Sequence, residues 1–422
     1  MSALLQNLIA QRRNDPTSKG IYSVCSAHPW VLRASIRQAK ADASPLLVEA
    51  TSNQVNQQGG YTGMRPADFR ELVYKIADEE GFSRSRLILG GDHLGPNPWR
   101  HSAEAMLLAI EMVKEYAAAG FTKLHLDASM PCGNETAPVA DEVVAERAAQ
   151  LCLAAEQACT GEKPVYVIGT EVPVPGGATE SLAELGVTSR EAAQLTLDIH
   201  REVFHRHGLD PVWPRVIAMV VQPGVEFNHD SVVDYIPAKA HSLKAVLDDA
   251  GGLIFEAHST DYQRPIAYAE LVDDGFCILK VGPALTFAMR EVLYGLALVE
   301  TELLPAEKHS HLSAVVEQAM LRNPKDWQGH YHGTPEQQRI LRTYSYSDRL
   351  RYYWNDAQVQ TAVDKLVANL EDADIPETLL SAYLPLQYLA IREGSLKKNV
   401  VEMVQHGIRY ALAPYAAACF PR

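Results

Sequence analysis

Eight times between residues 21 and 280 the chain repeats one pattern: a short apolar, often β-branched run, a polar cluster with Gly or Pro, then a stretch of helical period. The first four runs are Ile21 to Cys25 ending at His28, Pro45 to Val48 ending at Glu49 and Asn53, Leu87 to Leu89 ending at Asp92 and His93, and Leu124 to Leu126 ending at Asp127. The second four are Val165 to Ile168 ending at Glu171, Val216 to Val221 ending at Gln222, Leu253 to Phe255 ending at His258, and Cys277 to Leu279 ending at Lys280.

Near-continuous apolar strands that alternate with helices imply a parallel sheet covered on both faces, and eight repeats over this length fit a closed (β/α)₈ TIM barrel better than an open doubly wound sheet. No GxGxxG follows a strand, which weakens the open-sheet alternative. EAMLLAIEMVKEYAAAG and ADEVVAERAAQLCLAAEQA have helical spacing, the first ending at Gly120, while EVPVPGG is a rigid loop because its prolines withhold donors. After about residue 300 the strand signal stops. The division expected is a barrel over residues 1–300 and a helical C-terminal extension over 301–422, packed on the barrel. Within the extension, TYSYSDRLRYYW spreads Arg349, Arg351, Tyr352 and Tyr353 around a helix, either anchoring it to the barrel or contacting phosphate or a partner.

Charge narrows the partners. Among 422 residues, 38 Lys and Arg face 52 Asp and Glu, a net −14 with no basic face, so nucleic acid is not expected and small molecules are. The six cysteines form no CxxC pair and read as reduced thiols. No apolar run approaches the ~18 residues of a membrane span, and the N-terminal apolar stretch is too short for a signal peptide, so a cytoplasmic protein with no membrane partner is expected.

In a parallel barrel the pocket lies at the carboxyl ends of the strands, so the residues closing each apolar run should share one space. The segment ILGGDHLGP is the sharpest local signal: glycines admit a ligand to the backbone, and adjacent Asp92 and His93 are expected on opposite sides of an extended strand. One would bind a metal while the other takes a proton α to a carbonyl. Glu171 and His258 would complete a ligand set with His93, leaving a position for water or substrate. Asp92, Asp127 and Glu171 are the candidate catalytic carboxylates. The loops after strands seven and eight, HSTDY and KVGPALTFA, offer Ser259, Thr260, Lys280 and Gly282 for a phosphate, joined by Asn53 and Gln222 for substrate. A Schiff base on Lys280 is the weaker reading beside a lysine that snorkels or pairs with Glu256 or Asp261. His229 reads as a loop histidine, and His200, His205 and His207 as surface residues.

These residues sit in longer stretches, VCSAHP, VEATSNQVNQQGGYTGM, DFR, LGGDHLGPN, HLDASM, VAERAA, YVIGTEVPVPGG, VVQPGVEF, FEAHSTDYQ, ILKVGPALTFA, SYSDR and RYYW. In order and spacing the chain resembles, along nearly its full length, the Z-type subunit family of tagatose-bisphosphate aldolase, GatZ/KbaZ. The resemblance implies a class II aldolase-like barrel that binds a phosphorylated ketose. It implies an accessory subunit, needed for full activity and stability of a catalytic Y-type class II aldolase subunit in galactitol, N-acetylgalactosamine or tagatose 6-phosphate catabolism, with homo-oligomers an option. Asp92 and His93 match the Asp-His in which such aldolases keep a proton-transfer carboxylate and a zinc ligand, and His258 matches a later ligand. Strand six departs, with Gln222-Pro223-Gly224 in place of a His-Gly, which puts a three-histidine zinc site in doubt. The alternative implied by similar barrels is a 4-epimerase of a ketohexose 6-phosphate or hexuronate, using one divalent metal (Zn, Mn, Co or Ni). No nucleotide cofactor is expected: without a Gly-rich phosphate loop of the Walker or kinase type, labels of such chains as tagatose 6-phosphate kinases find no support.

Overall fold

A computed structural model describes residues 2–14, 20–133, 135–136, 138–170 and 185–421. Glu171, expected as a ligand and catalytic carboxylate, lies outside the described residues. The strands are β1 (Ile21–Val24), β2 (Leu46–Thr51), β3 (Leu87–Leu94), β4 (Lys123–Leu126), β5 (Val165–Ile168), β6 (Val216–Val220), β7 (Glu226–Phe227), β8 (Val232–Val233), β9 (Ile254–Ala257) and β10 (Phe276–Val281). Eight of them close a parallel barrel in the order β1-β10-β9-β6-β5-β4-β3-β2, each of the eight apolar runs supplying one stave. The short antiparallel hairpin β7–β8 is an insertion after β6 that the repeat pattern did not show.

Strand pleating gives the barrel interior two layers, because residues two apart share a face. At the amino-terminal end the inward positions are apolar: Ile21, Leu47, Ile88, Val165, Ile254 and Ile278 belong to one buried cluster, closed from below by Leu5, Leu8 and Ile9 of helix Ser2–Asn14. One inward step further on, β1, β2, β9 and β10 carry Ser23, Glu49, Glu256 and Lys280, and β4 adds Lys123 to this layer, all buried. A far larger apolar cluster fills the space between the barrel and its surrounding helices.

The last helix, Val400–Cys419, returns to the barrel wall and packs on helices Pro29–Ala41, Pro265–Asp273 and Pro283–Leu303. Arg37 Nη1 meets Glu402 Oε1 at 2.9 Å, tying this helix to the first wall helix. The turn Arg349–Tyr353, from the dense Tyr/Arg run, reaches the carboxyl-terminal mouth, where Arg351, Tyr352 and Trp354 line the pocket. His229 does sit in the loop between β7 and β8, and it docks there on the extension, Nε2 lying 3.0 Å from the carbonyl of His330. His200 is corrected: it is fully buried, Nδ1 donating to Thr196 O at 2.8 Å, because its helix turns that face to the barrel.

Candidate active site

Inward positions on five strands deliver nine ionisable side chains to one buried place: Glu49 from β2, Asp92 and His93 from β3, Lys123, His125 and then Asp127 from β4, Glu256 and then His258 from β9, and Lys280 from β10. The spacing is period two, Lys123-x-His125-x-Asp127 and Glu256-x-His258, as a strand requires. Gly90 makes the room: a Cβ there would stand 2.5 Å from Glu49 Oε1.

Asp92 and His93 break the alternation expected of them. His93 has φ +49, and the register of β3 against β4 shifts between Gly91 and Leu94, so both side chains turn into the cavity instead of to opposite faces. The amide of His93 donates to Asp92 Oδ1 at 3.0 Å, which holds the turn.

Each of three imidazoles is held by a carboxylate. His93 Nδ1 lies 2.8 Å from Asp127 Oδ2, His125 Nδ1 2.9 Å from Asp92 Oδ1, and His258 Nε2 2.9 Å from Glu256 Oε1. An ionised carboxylate accepts, so each ring donates on that edge, and a ring in its neutral form has its lone pair on the other nitrogen. The ring centroids are 4.8 to 5.2 Å apart. His125 Nε2 is buried with no hydrogen-bond partner among the described residues.

Two ammoniums complete the set. Lys123 Nζ bridges Glu49 Oε1 at 2.5 Å and Glu256 Oε2 at 2.6 Å. Lys280 Nζ contacts Glu49 Oε2 and lies 2.8 Å from Asp92 Oδ1. Burial pulls Lys280 down to about 8, which leaves it protonated at neutral pH against these partners. Burial opposes charge on His93, but Asp92 and Asp127 outweigh it and push the ring up to about 9. Burial likewise opposes ionisation of Asp92, and His93 and His125 overcome it, holding the carboxylate far below its usual range. Cys25, whose Sγ lies 3.7 Å from Asp92 Oδ2, is pushed up to about 12 by burial and stays a thiol.

These residues fit a divalent transition metal. Four carboxylates face two ammoniums, one nitrogen is orphaned, and one ligand atom from each of Asp92, His125, Glu256 and His258 lies within 4.8 Å of the others. The histidine missing from strand six is made up by His125 from β4, a residue the sequence reading passed over.

Of the substrate residues expected, Asn53, Ser259, Lys280 and Gly282 line the pocket together with Asp92, His93 and His258. Three roles are corrected. Gln222 closes its own turn, its side-chain oxygen accepting from the amides of Gly224 at 2.8 Å and Val225 at 3.0 Å. Thr260 donates its hydroxyl to Lys280 O at 2.5 Å, knitting a loop to β10 rather than facing a ligand. Gly282 gives its amide to Asp261 Oδ1 at 3.0 Å, so that donor is taken. Lys280 pairs with Glu256, as one sequence alternative had it, at 3.5 Å, but its closer partners are Glu49 and Asp92, not Asp261.

Residues 5–420 match the family described as D-tagatose-1,6-bisphosphate aldolase subunit GatZ/KbaZ-like. Among solved structures the chain is similar to a probable tagatose 6 phosphate kinase from Sinorhizobium meliloti, with 47% identity and a TM-score of 0.88, over 95% of this chain and 100% of that one. Fainter likenesses are to the fructuronate-tagaturonate epimerase UxaE from Cohnella laeviribosi (13% identity, TM-score 0.49, 97% of this chain and 85% of that one) and to a fructose-bisphosphate aldolase from Campylobacter jejuni (15%, 0.44, 88% and 92%). Neither of these two bears on the chemistry.

Proposed function

The chain belongs to the GatZ/KbaZ-like family of D-tagatose-1,6-bisphosphate aldolase subunits, and from that premise we propose that its own barrel mouth transfers protons on a phosphorylated ketohexose, as a metal-dependent 4-epimerase interconverting tagatose 6-phosphate and fructose 6-phosphate. The observation that carries this reading is the cluster itself. Buried ion pairs are costly to desolvate and rarely improve stability, so a barrel serving only as scaffold gains little from nine ionisable groups at its mouth.

The side chains have distinct tasks. Asp92, kept ionised, accepts the proton of the C4 hydroxyl as the C3–C4 bond opens and its electron pair passes into the ketose carbonyl system. The bond re-forms on the other face of the C4 carbonyl, and the proton returns to its oxygen. Lys280, 2.8 Å from Asp92, holds that carboxylate in place and supplies positive charge beside the developing oxyanion. His125, His258 and Glu256, whose ligand atoms lie within 4.8 Å of one another, would hold the divalent cation, with Asp92 orienting His125 and Asp127 pairing with the ring of His93 next to them. Such a cation supplies Lewis-acid polarisation of the ketose carbonyl.

A second reading rests on the family's description as an aldolase subunit: an accessory chain needed for full activity and stability of a Y-type catalytic partner, in tagatose 6-phosphate or galactitol catabolism. One assay separates the two. The purified chain with Mn²⁺, Co²⁺, Ni²⁺ or Zn²⁺ is given tagatose 6-phosphate, and fructose 6-phosphate is measured. Turnover that Asp92→Asn abolishes supports the epimerase. No turnover, with a Y-type aldolase made faster or more heat-resistant by adding this chain, supports the accessory subunit instead.

A further inference from the structure

In many barrels of this kind a phosphate rests on the loops after the last two strands and on the N-terminus of the helix that follows. Here that place is taken. Asp261 Oδ1 accepts from Gly282 N at 3.0 Å and from Ala284 N at 2.9 Å, which puts a carboxyl group on the first turn of helix Pro283–Leu303. The nearby ammonium of Lys280 is committed to Glu49 and Asp92. An anion entering the pocket therefore needs another cation.

Arg351 supplies one. It lines the pocket from the C-terminal extension and, among the described residues, forms no ion pair with any carboxylate. Its guanidinium is steadied on three neighbours: Nη1 donates to the carbonyls of Ser347 and Asp348, the latter at 3.1 Å, and Nη2 donates to Tyr352 Oη at 3.0 Å. It also lies over the Tyr352 ring, 4.5 Å from the centroid. A guanidinium carries five N–H donors, so the fork keeps capacity for an acceptor after these contacts. His28 lines the same pocket, and its Nδ1 accepts from Trp30 N at 3.3 Å. Burial holds its pKa near 4, so the neutral ring carries its proton on Nε2 as a donor.

We infer that Arg351, with His28 in the lining of the same pocket, grips the phosphate of the sugar substrate in place of the helix N-terminus after β10. This rests on the reading of the substrate as a phosphorylated ketose. It gives the extension a task in the site: a residue some seventy positions beyond the last barrel strand selects the substrate that the barrel acts on.

Calorimetric titration of the whole chain with fructose 6-phosphate, and separately with fructose, tests both layers. The wild type should bind the phosphorylated sugar about 10- to 100-fold more tightly, as one or two charge-assisted hydrogen bonds imply. Arg351→Met should erase that preference while leaving fructose binding unchanged, and Arg351→Lys should keep part of it. A wild type that prefers the phosphorylated sugar, beside an Arg351→Met variant with the same preference, overturns the assignment but leaves the substrate reading standing. A wild type that does not distinguish the two sugars overturns both. Because Arg351 also steadies two carbonyls of its own turn, the unsubstituted protein provides a second measurement. Phenylglyoxal labelling of Arg351, followed by mass spectrometry, should be slowed by fructose 6-phosphate and not by fructose, and equal labelling in both overturns the assignment.

Discussion

His125 Nδ1 lies 2.9 Å from Asp92 Oδ1, and the opposite nitrogen of the same ring is buried with no hydrogen-bond partner among the described residues. A buried nitrogen left in that state costs free energy unless something takes its lone pair. One carboxylate thus orients an imidazole that faces two others across about 5 Å.

Metal binding should follow from this arrangement. The chain dialysed from Mn²⁺, Co²⁺, Ni²⁺ or Zn²⁺ is expected to retain about one equivalent by elemental analysis. Removing a ligand nitrogen in His125→Ala should weaken affinity roughly 100-fold or more. Equal retention by wild type and His125→Ala would exclude this histidine from the set.

Lys123 governs stability more than chemistry. Its ammonium is fully buried between Glu49 and Glu256, at 2.5 and 2.6 Å. Lys123→Met leaves both carboxylates with less compensation in a fully buried layer, which should cost about 3–5 kcal/mol, seen as a lower urea midpoint. Adding Glu49→Gln to Lys123→Met should restore part of the loss, because one uncompensated charge goes with it. A double variant no more stable than Lys123→Met would contradict the charge argument.

The same layer shows where sequence reading stops. The staves were legible because apolar, β-branched runs recur with polar ends, and Asp92, His93, Asp127 and His258 were found because they stand at those ends. Lys123, His125 and Glu256 stand inside strands, where a run such as KLHLD looks like an interrupted apolar segment rather than one inward face. Its period-two charges were the available signal. The shared orientation of Asp92 and His93 depends on one positive φ that no pattern of residues announces. Gln222 and Thr260 are polar for local reasons, closing a turn and fastening a loop, and polarity alone does not separate that from binding. Arg351 reaches the mouth through tertiary packing of a distant extension, a contact with no sequence period behind it.

Gly90 should tolerate nothing larger. A Cβ on it would sit 2.5 Å from Glu49 Oε1 and 2.8 Å from Glu49 Cγ, displacing a carboxylate shared by two lysines. Gly90→Ala is expected to lower thermal stability and metal retention together, by about 1–3 kcal/mol in folding free energy. Glu49→Ala on the Gly90→Ala background removes the clash, so the glycine change should then cost much less than it does alone. Two substitutions whose effects simply add would show that the close approach is not the cause.

Asp261 predicts an unusual pH dependence. Burial raises its carboxyl from 3.8 to about 6, outweighing the amides of Ala284 and Gly282 that favour the ionised form. A folded-state pKa above the unfolded one means the folded chain binds the proton more tightly. Its contribution to stability is therefore fully present below about pH 4 and is lost as pH rises through 6. At pH 8 the ionised group is a net burden, on the order of 2–3 kcal/mol from the size of the shift. Asp261→Asn keeps an oxygen to accept from Gly282 and Ala284 and carries no charge, so the variant should be more stable than wild type at pH 8, with a smaller difference at pH 5. Urea unfolding at the two pH values measures this. A gap between variant and wild type that does not widen from pH 5 to pH 8 would show that Asp261 is ionised in the folded protein throughout that range.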